Sequence, residues 1–196
     1  MFIENLPENS QSGWIEVITG AMFSGKTEEL IRRLRRAKIA AQRVIIFKPY
    51  IDKRYSLSEV VSHDAQTIPS TPVHRPEEIL KLSEKISVIG IDEAQFFDTT
   101  IIDVCNELAN KGCRVIAAGL DMDYMGRPFS QVASLAAMAE YVTKLHAICM
   151  KCGSLAHFSH RKANSPELVL IGEKEHYEPL CRKCYNREKK THDNQV

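Results

Sequence analysis

The sequence predicts an α/β fold: a parallel sheet covered by helices, carrying a phosphate-binding loop, with a small cysteine-bearing lobe at the C-terminal end. Three observations predict it. The glycine-rich segment Gly20-Ala21-Met22-Phe23-Ser24-Gly25-Lys26-Thr27 directly follows the apolar run Trp14 to Thr19 and directly precedes a helical stretch, Glu28 to Ala41. Short apolar runs then alternate with segments of helical period, the pattern of a sheet whose parallel strands are joined by crossover helices. Finally, two Cys-x-x-Cys pairs, Cys149/Cys152 and Cys181/Cys184, mark the last quarter of the chain.

The elements follow in order. The strand over Trp14 to Thr19 delivers a GxxxxGKT loop. A polyphosphate carries several negative charges, and a glycine-relieved turn meets them with consecutive backbone N–H groups at a helix N-terminus. Lys26 is expected to reach the outer phosphates of ATP or GTP, and Thr27 Oγ a Mg²⁺ ion. The next helix sets Leu30, Leu34, Ala37 and Ala41 on one face, while Arg32, Arg33, Arg35, Arg36 and Lys38 read as its solvated face. A strand over Arg43 to Lys48 follows. From Pro49 to Pro76 polar, turn-forming residues dominate over a length that suits a functional loop. Pro76-Glu77-Glu78 opens a short helix, Ile86 to Ile91 reads as a fully buried strand, and a helix near Thr99 to Asn110 and a strand near Arg114 to Ala118 repeat the unit. Beyond Tyr141 strand-like runs, Val142 to Ile148 and Val169 to Ile171, are punctuated by the cysteines. The division expected is residues 1–148 for the nucleotide-binding part, with 1–13 a flexible start, 149–190 for the lobe, and 191–196 for a flexible tail.

In such a sheet, ligands lie at the carboxyl ends of the strands. Both Gly20 to Thr27 and Asp92-Glu93 lie at such ends. Asp92 suits Mg²⁺, directly or through water, and Glu93 is available to accept a proton from an attacking hydroxyl or water. The two Cys pairs present four thiolates to one tetrahedral ion, which makes a structural zinc site; His146, His157, His160 or His176 standing in for a cysteine is the alternative. Cys105 and Cys113 read as buried small apolar residues. Phe96-Phe97 follow Glu93 immediately, and Tyr124, Phe129 and Tyr177 fall on predicted loops; these aromatics serve either as stacking surfaces for a flat base or as core residues.

Composition narrows the partners. With 26 Lys+Arg against 25 Asp+Glu the formal charge is +1, so no global basic field gathers nucleic acid or anionic membrane. No apolar stretch approaches the roughly 20 residues that span a bilayer, and Met1 to Gly13 lacks the basic-then-apolar order of a signal peptide. A cytoplasmic location is expected, where six cysteines argue for metal ligation or buried thiols.

Together these segments resemble the cytosolic, zinc-containing (type II) thymidine kinases. The resemblance spans nearly the whole chain. It rests on GAMFSGKT (Gly20 to Thr27), Lys48-Pro49 through Asp52-Lys53-Arg54-Tyr55, Ser62-His63-Asp64, IDEAQFF (Ile91 to Phe97), GLDMDYMGRPF (Gly119 to Phe129) and the two CxxC pairs. It implies a P-loop NTPase-like domain and a zinc-bearing lobe whose long loop closes over thymidine like a lasso. It further implies Glu93 as catalytic base, Arg54 near the transferring phosphate, and Gly20 to Thr27 with Asp92, Glu93, Ala94 and Gln95 as the ATP-binding segments. Met22, Phe96, Leu120, Tyr124, Phe129 and Tyr177 are implied for the nucleoside pocket, with Ser159 and Leu170 as lasso contacts; Tyr124 stands where some members carry Phe. Cys149, Cys152, Cys181 and Cys184 are implied as zinc ligands, the assembly as a homotetramer, and thymidine triphosphate as feedback inhibitor.

The activity expected is transfer of the ATP γ-phosphoryl group to the thymidine 5′-hydroxyl. The rival from another class is a nucleic-acid-stimulated ATPase, since Asp92-Glu93-Ala94-Gln95 resembles a helicase box and zinc ribbons often bind nucleic acid. The missing basic field argues against it. A third reading, a nucleotide-binding regulator without turnover, is disfavoured by Glu93 directly after Asp92.

Overall fold

The structure is a computed structural model that describes residues 12–52, 59–61, 67–162 and 176–193. Arg54 and Leu170, and the strand expected over Val169 to Ile171, lie outside the described residues. Six strands form the main sheet: β1 (Trp14–Gly20), β2 (Val44–Pro49), β5 (Thr71–Val73), β6 (Val88–Ile91), β7 (Arg114–Leu120) and β8 (Tyr141–Leu145), in the order β5-β2-β6-β7-β1-β8. Every pairing among them is parallel. A short antiparallel pair, β3 (Glu59–Val61) with β4 (Thr67–Pro69), sits between β2 and β5 in the chain.

Period-two alternation within the strands divides the core between the two faces of the sheet. On one face Ile18, Val88, Ile116 and Ala118 pack against Leu30, Ile31 and Leu34 of α1 (Lys26–Ile39). On the other, Val17, Ile89, Ile91, Val115 and Ala117 meet Ile79 of α2 (Glu77–Leu82), Ile101, Val104 and Leu108 of α3 (Thr100–Asn110), and Val132 and Leu135 of α4 (Ser130–Met138). Helix α1 lies so close to the sheet that a Cβ on Gly90 would come within 2.6 Å of Leu34 Cδ1. The helix α4 has no counterpart in the sequence reading: its apolar residues are small and nearly unbroken, so its helical period is weak.

One expectation is corrected here. Arg32, Arg35, Arg36 and Lys38 are exposed as a solvated face requires, but Arg33 is only 2% exposed. Its guanidinium meets Glu16 of β1 at 2.7 Å and Glu29 at 2.8 Å, and donates to Thr143 Oγ1. Glu16, itself 1% exposed, also pairs with Arg114 at 2.6 Å and accepts from Trp14 Nε1. Burial raises the Glu16 carboxyl, but hydrogen bonds from Arg114, Trp14 and Arg33 outweigh it and hold the group below its ordinary value.

The C-terminal elements are β9 (Ala147–Ile148) paired with β10 (Leu155–Ala156), β11 (Phe158–Arg161) paired with β12 (Tyr177–Leu180), and α5 (Arg182–Asp193). Helix α5 runs into the stretch read as a tail. These elements enclose a second core of Ala147, Cys149, Ala156, Phe158, Leu180, Cys184 and Tyr185, against which Phe23 and Met122 pack from the larger part of the chain.

Candidate active site

The strand order decides which loops meet. From β1 the chain crosses to β2, later fills the gap with β6 and β7, and then adds β8 on the other side of β1. The carboxyl end of β1 is therefore bordered by those of β7 and β8, and that of β6 lies one strand further out. Loop 20–27 turns tightly into α1. Gly25, its N-cap, has φ +84, and a Cβ on Gly20 would lie 2.3 Å from the carbonyl oxygen of Leu145 on β8. Neither position admits a side chain without strain or displacement. Lys26 Nζ lies back over the loop and donates to Ala21 O at 2.8 Å.

Across β7, Thr27 Oγ1 stands 3.4 Å from Asp92 Oδ2 at the end of β6. The other Asp92 oxygen accepts from the backbone N–H of Glu93. An octahedral ion with bonds of about 2.0–2.1 Å sets adjacent ligand oxygens roughly 2.9 Å apart, so these two oxygens suit one Mg²⁺ after a small adjustment. Glu93 is a non-glycine residue in the left-handed region, φ 52 and ψ 42, at the entry to the 3-10 turn Ala94–Phe96. Such outliers gather at functional sites, because the surrounding structure must hold them. Gln95 Nε2 donates to Glu93 Oε2, and Gln95 Oε1 accepts from the backbone N–H of Leu120 at the end of β7. Ala94 is buried, Phe96 is half-buried, and Phe97 belongs to the main core.

The C-terminal elements close over this edge. Ser159 Oγ on β11 accepts from the backbone N–H of Met22 in the phosphate loop at 3.0 Å. Two residues along the same strand, Arg161 stacks its guanidinium 3.8 Å from the Tyr124 ring centroid and donates to the Tyr177 hydroxyl from Nε at 3.2 Å and from a terminal nitrogen at 2.7 Å. Tyr177 thus lies in strand β12 and is buried, which corrects its placement on a loop: it shares one face of the strand with Pro179. Tyr124 is on a turn, its carbonyl accepting from Tyr185 Oη of α5 at 2.8 Å. Phe129, just before α4, and Leu120 are both half-buried.

The four sulfurs of Cys149, Cys152, Cys181 and Cys184 lie within 4.8 Å of one another. A tetrahedral zinc with bonds of about 2.3 Å separates its ligands by roughly 3.8 Å, so the set fits that ion. Hydrogen bonds from Ser154 draw Cys152 down to about 6, whereas burial and the three facing thiols push Cys184 up to about 12. Four adjacent thiols do not all ionise unless a positive ion is shared among them. Among the described residues no histidine joins this cluster. Cys105, by contrast, is fully buried and burial alone pushes it to about 12, in keeping with a small apolar residue.

The sequence profile of the family described as thymidine kinase matches residues 13–185. The chain belongs to the thymidine kinase family. Among the members it resembles is the thymidine kinase of Bacteroides fragilis, 59% identical over 184 residues, covering 94% of this chain and 92% of that protein. The thymidine kinase of Rhodothermus sp. is 60% identical over 173 residues, covering 88% and 81%, and that of Porphyromonas gingivalis strain W83 is 54% identical over 183 residues, covering 93% and 90%.

Within this thymidine kinase fold, two residues at the site had no sequence-level assignment. Arg161 faces Tyr124 and Tyr177, and Tyr185 anchors the turn that carries Tyr124. The available signal was the period-two spacing of Ser159 and Arg161, which puts both on one side of a strand. Among the described residues, no helix is long and apolar enough to cross a membrane.

Proposed function

We propose that this chain transfers the γ-phosphoryl group of ATP to the 5′-hydroxyl of thymidine, giving thymidine monophosphate and ADP. The observation that carries the reading is the convergence of the phosphate loop, Asp92 and Glu93 on one sheet edge, in a chain 59% identical to a relative named thymidine kinase. The backbone N–H groups of loop 20–27 and Lys26 bind and orient the donor phosphates. Thr27 and Asp92 would hold Mg²⁺, which supplies charge neutralisation on the phosphate oxygens when bound. Glu93 takes the proton of the 5′-hydroxyl as its oxygen bonds to the γ-phosphorus and the bond to the ADP leaving oxygen breaks. Such transfer is chiefly positioning and charge stabilisation, which is what a fixed loop and two fixed carboxylates provide.

Met22, Phe96, Leu120, Tyr124, Phe129 and Tyr177 form the nucleoside pocket in this reading, Ser159 of β11 and Leu170 contact it from the C-terminal lobe, and Arg54 approaches the transferring phosphate. The zinc held by the four cysteines is structural. A homotetramer, inhibition by thymidine triphosphate and a cytoplasmic location complete the proposal on the strength of family membership. The exposed Tyr141 and Val142 on the outer strand β8 supply apolar surface that self-association would cover.

The test is ATP consumption in parallel with thymidine, with single-stranded DNA and with neither. Thymidine-dependent consumption with formation of thymidine monophosphate is expected. Consumption stimulated by DNA instead would replace the reading with a nucleic-acid-dependent ATPase, and nucleotide binding without turnover would replace it with a regulatory module.

A further inference from the structure

Gln95 is 3% exposed, and both ends of its amide are engaged. Its oxygen accepts the Leu120 backbone N–H at 2.9 Å and its nitrogen donates to Glu93 Oε2 at 2.5 Å. The first contact settles the second. A backbone N–H is only a donor, so the amide oxygen must face Leu120, and the NH₂ group is thereby directed at Glu93. The amide is also walled in, because a Cβ on Gly119 would sit 3.0 Å from Gln95 Oε1 and equally close to Val132 Cγ2. The left-handed backbone at Glu93 turns the chain so that the side chains of residues 93 and 95 converge although they are only two apart.

We infer that Gln95 is the positioning residue for Glu93, fixing one of its carboxylate oxygens against the end of β7 and so orienting the group that takes the acceptor's hydroxyl proton. The inference rests on the reading of Glu93 as the base. The Leu120 anchor prevents the amide from turning its oxygen toward Glu93, so the carboxylate meets a donor and not a second acceptor. The strand that separates the phosphate loop from the Asp92 strand therefore sets the orientation of the base as well as spacing the loops. Gln95 acts through Glu93 and touches neither phosphate nor nucleoside in this role.

Four variants test it. Glu93→Gln alone tests the base, and wild-type turnover there removes both the base and its positioning. Given a loss in that variant, Gln95→Met is expected to lower kcat by about 10-fold to 10²-fold, a fraction of what a general base contributes, with KM for thymidine and for ATP within about 3-fold of the parent. In the Glu93→Gln background the same substitution is expected to cost less than about 3-fold, since the group it positions is already gone. An equal loss in both backgrounds, or a kcat within about 3-fold of the parent for Gln95→Met, overturns the inference. Gln95→Glu is nearly isosteric and keeps the acceptor for Leu120, but it sets a second carboxylate against Glu93. It replaces the donor facing Glu93 with an acceptor and is expected to lower kcat by about 10-fold or more, with KM for thymidine and for ATP within about 3-fold of the parent. If Gln95→Met does not fold, this variant decides alone, and a kcat within about 3-fold of the parent refutes the positioning role.

Discussion

Removing a single oxygen, Tyr177→Phe, separates what the ring of this residue does from what its hydroxyl does. The ring stays, so any packing surface it offers a nucleoside stays with it. The hydroxyl is the acceptor for two N–H groups of Arg161, a guanidinium 6% exposed beside a tyrosine 7% exposed. Water does not readily replace that oxygen in so closed a place. Hydrogen bonds to charged groups contribute about 1.5–3 kcal/mol, and the stack of Arg161 on Tyr124 at 3.8 Å survives the substitution, so a total loss of about 1.5–3 kcal/mol is expected. At roughly 2–4 °C per kcal/mol for a chain of this size, the thermal midpoint should fall by about 3–12 °C in zinc-replete buffer. KM for thymidine should rise because Tyr124 and Tyr177 lose their common clamp. The order of substrates should not change. Deoxycytidine presents a donor where thymine presents an acceptor and the reverse, leaving buried partners unsatisfied, so it should trail thymidine by about 10² to 10⁴-fold in kcat/KM, with deoxyuridine between. Calorimetry and competition kinetics on the three nucleosides decide the matter. A midpoint within 1 °C of the parent would show that Arg161 does not depend on this hydroxyl, and lost discrimination against deoxycytidine would show that the hydroxyl reads the base.

Lys26→Ala should abolish transfer, since Lys26 is the cation that loop 20–27 offers the outer phosphates; parent-like kcat in that variant would remove the loop from the donor site. Metal analysis should give one zinc per chain, and Cys152→Ser should lose it, with proteolysis appearing first around residues 149–184. Because Phe23 packs on the lobe core and Met22 bonds Ser159, zinc loss should also raise KM for ATP, and an unchanged value would mean that the loop holds its shape unaided. Glu16→Gln removes the carboxylate that the buried Arg33 and Arg114 share, leaving Arg33 only Glu29, and should cost about 3–5 kcal/mol by chemical denaturation. Since the folded-state Glu16 pKa lies below the ordinary 4.5, its contribution is present above that pH and drains as pH falls through the folded value. The variant should therefore show a shallower loss of stability between about pH 5 and 2, and an acid slope equal to the parent's would place the linkage elsewhere, with Glu29 the first candidate.

The sequence by itself determined the parts whose physics is local. Phosphate binding needs N–H groups, a cation and a hydroxyl within eight residues, so GxxxxGKT was legible without a fold, and the apolar run ending in Asp92-Glu93 was legible as a buried strand delivering carboxylates. Cys149-x-x-Cys152 and Cys181-x-x-Cys184 announced a tetrahedral site because each pair is short enough to act as one knuckle. Only the tertiary structure decided what depends on partners distant in the chain. Arg33 read as solvated because helical position alone exposes it; Glu16, which pairs with it, is 17 residues away, and Arg114, which shares that carboxylate, is 98 residues from Glu16. Gln95 read as one member of an ATP-binding segment, and its amide was assigned to Glu93 only when strand order brought Leu120 beside it. Tyr177 read as a loop aromatic because its strand pairs with β11 across a long intervening segment. The resemblance implied that the cysteine lobe closes over the substrate, and its contacts with Met22, Phe23 and Tyr124 came only from the tertiary structure, which sets the lobe against the phosphate loop. Pairings of this kind are specified by sheet order and side-chain direction, and neither is encoded in the spacing of residues along the chain.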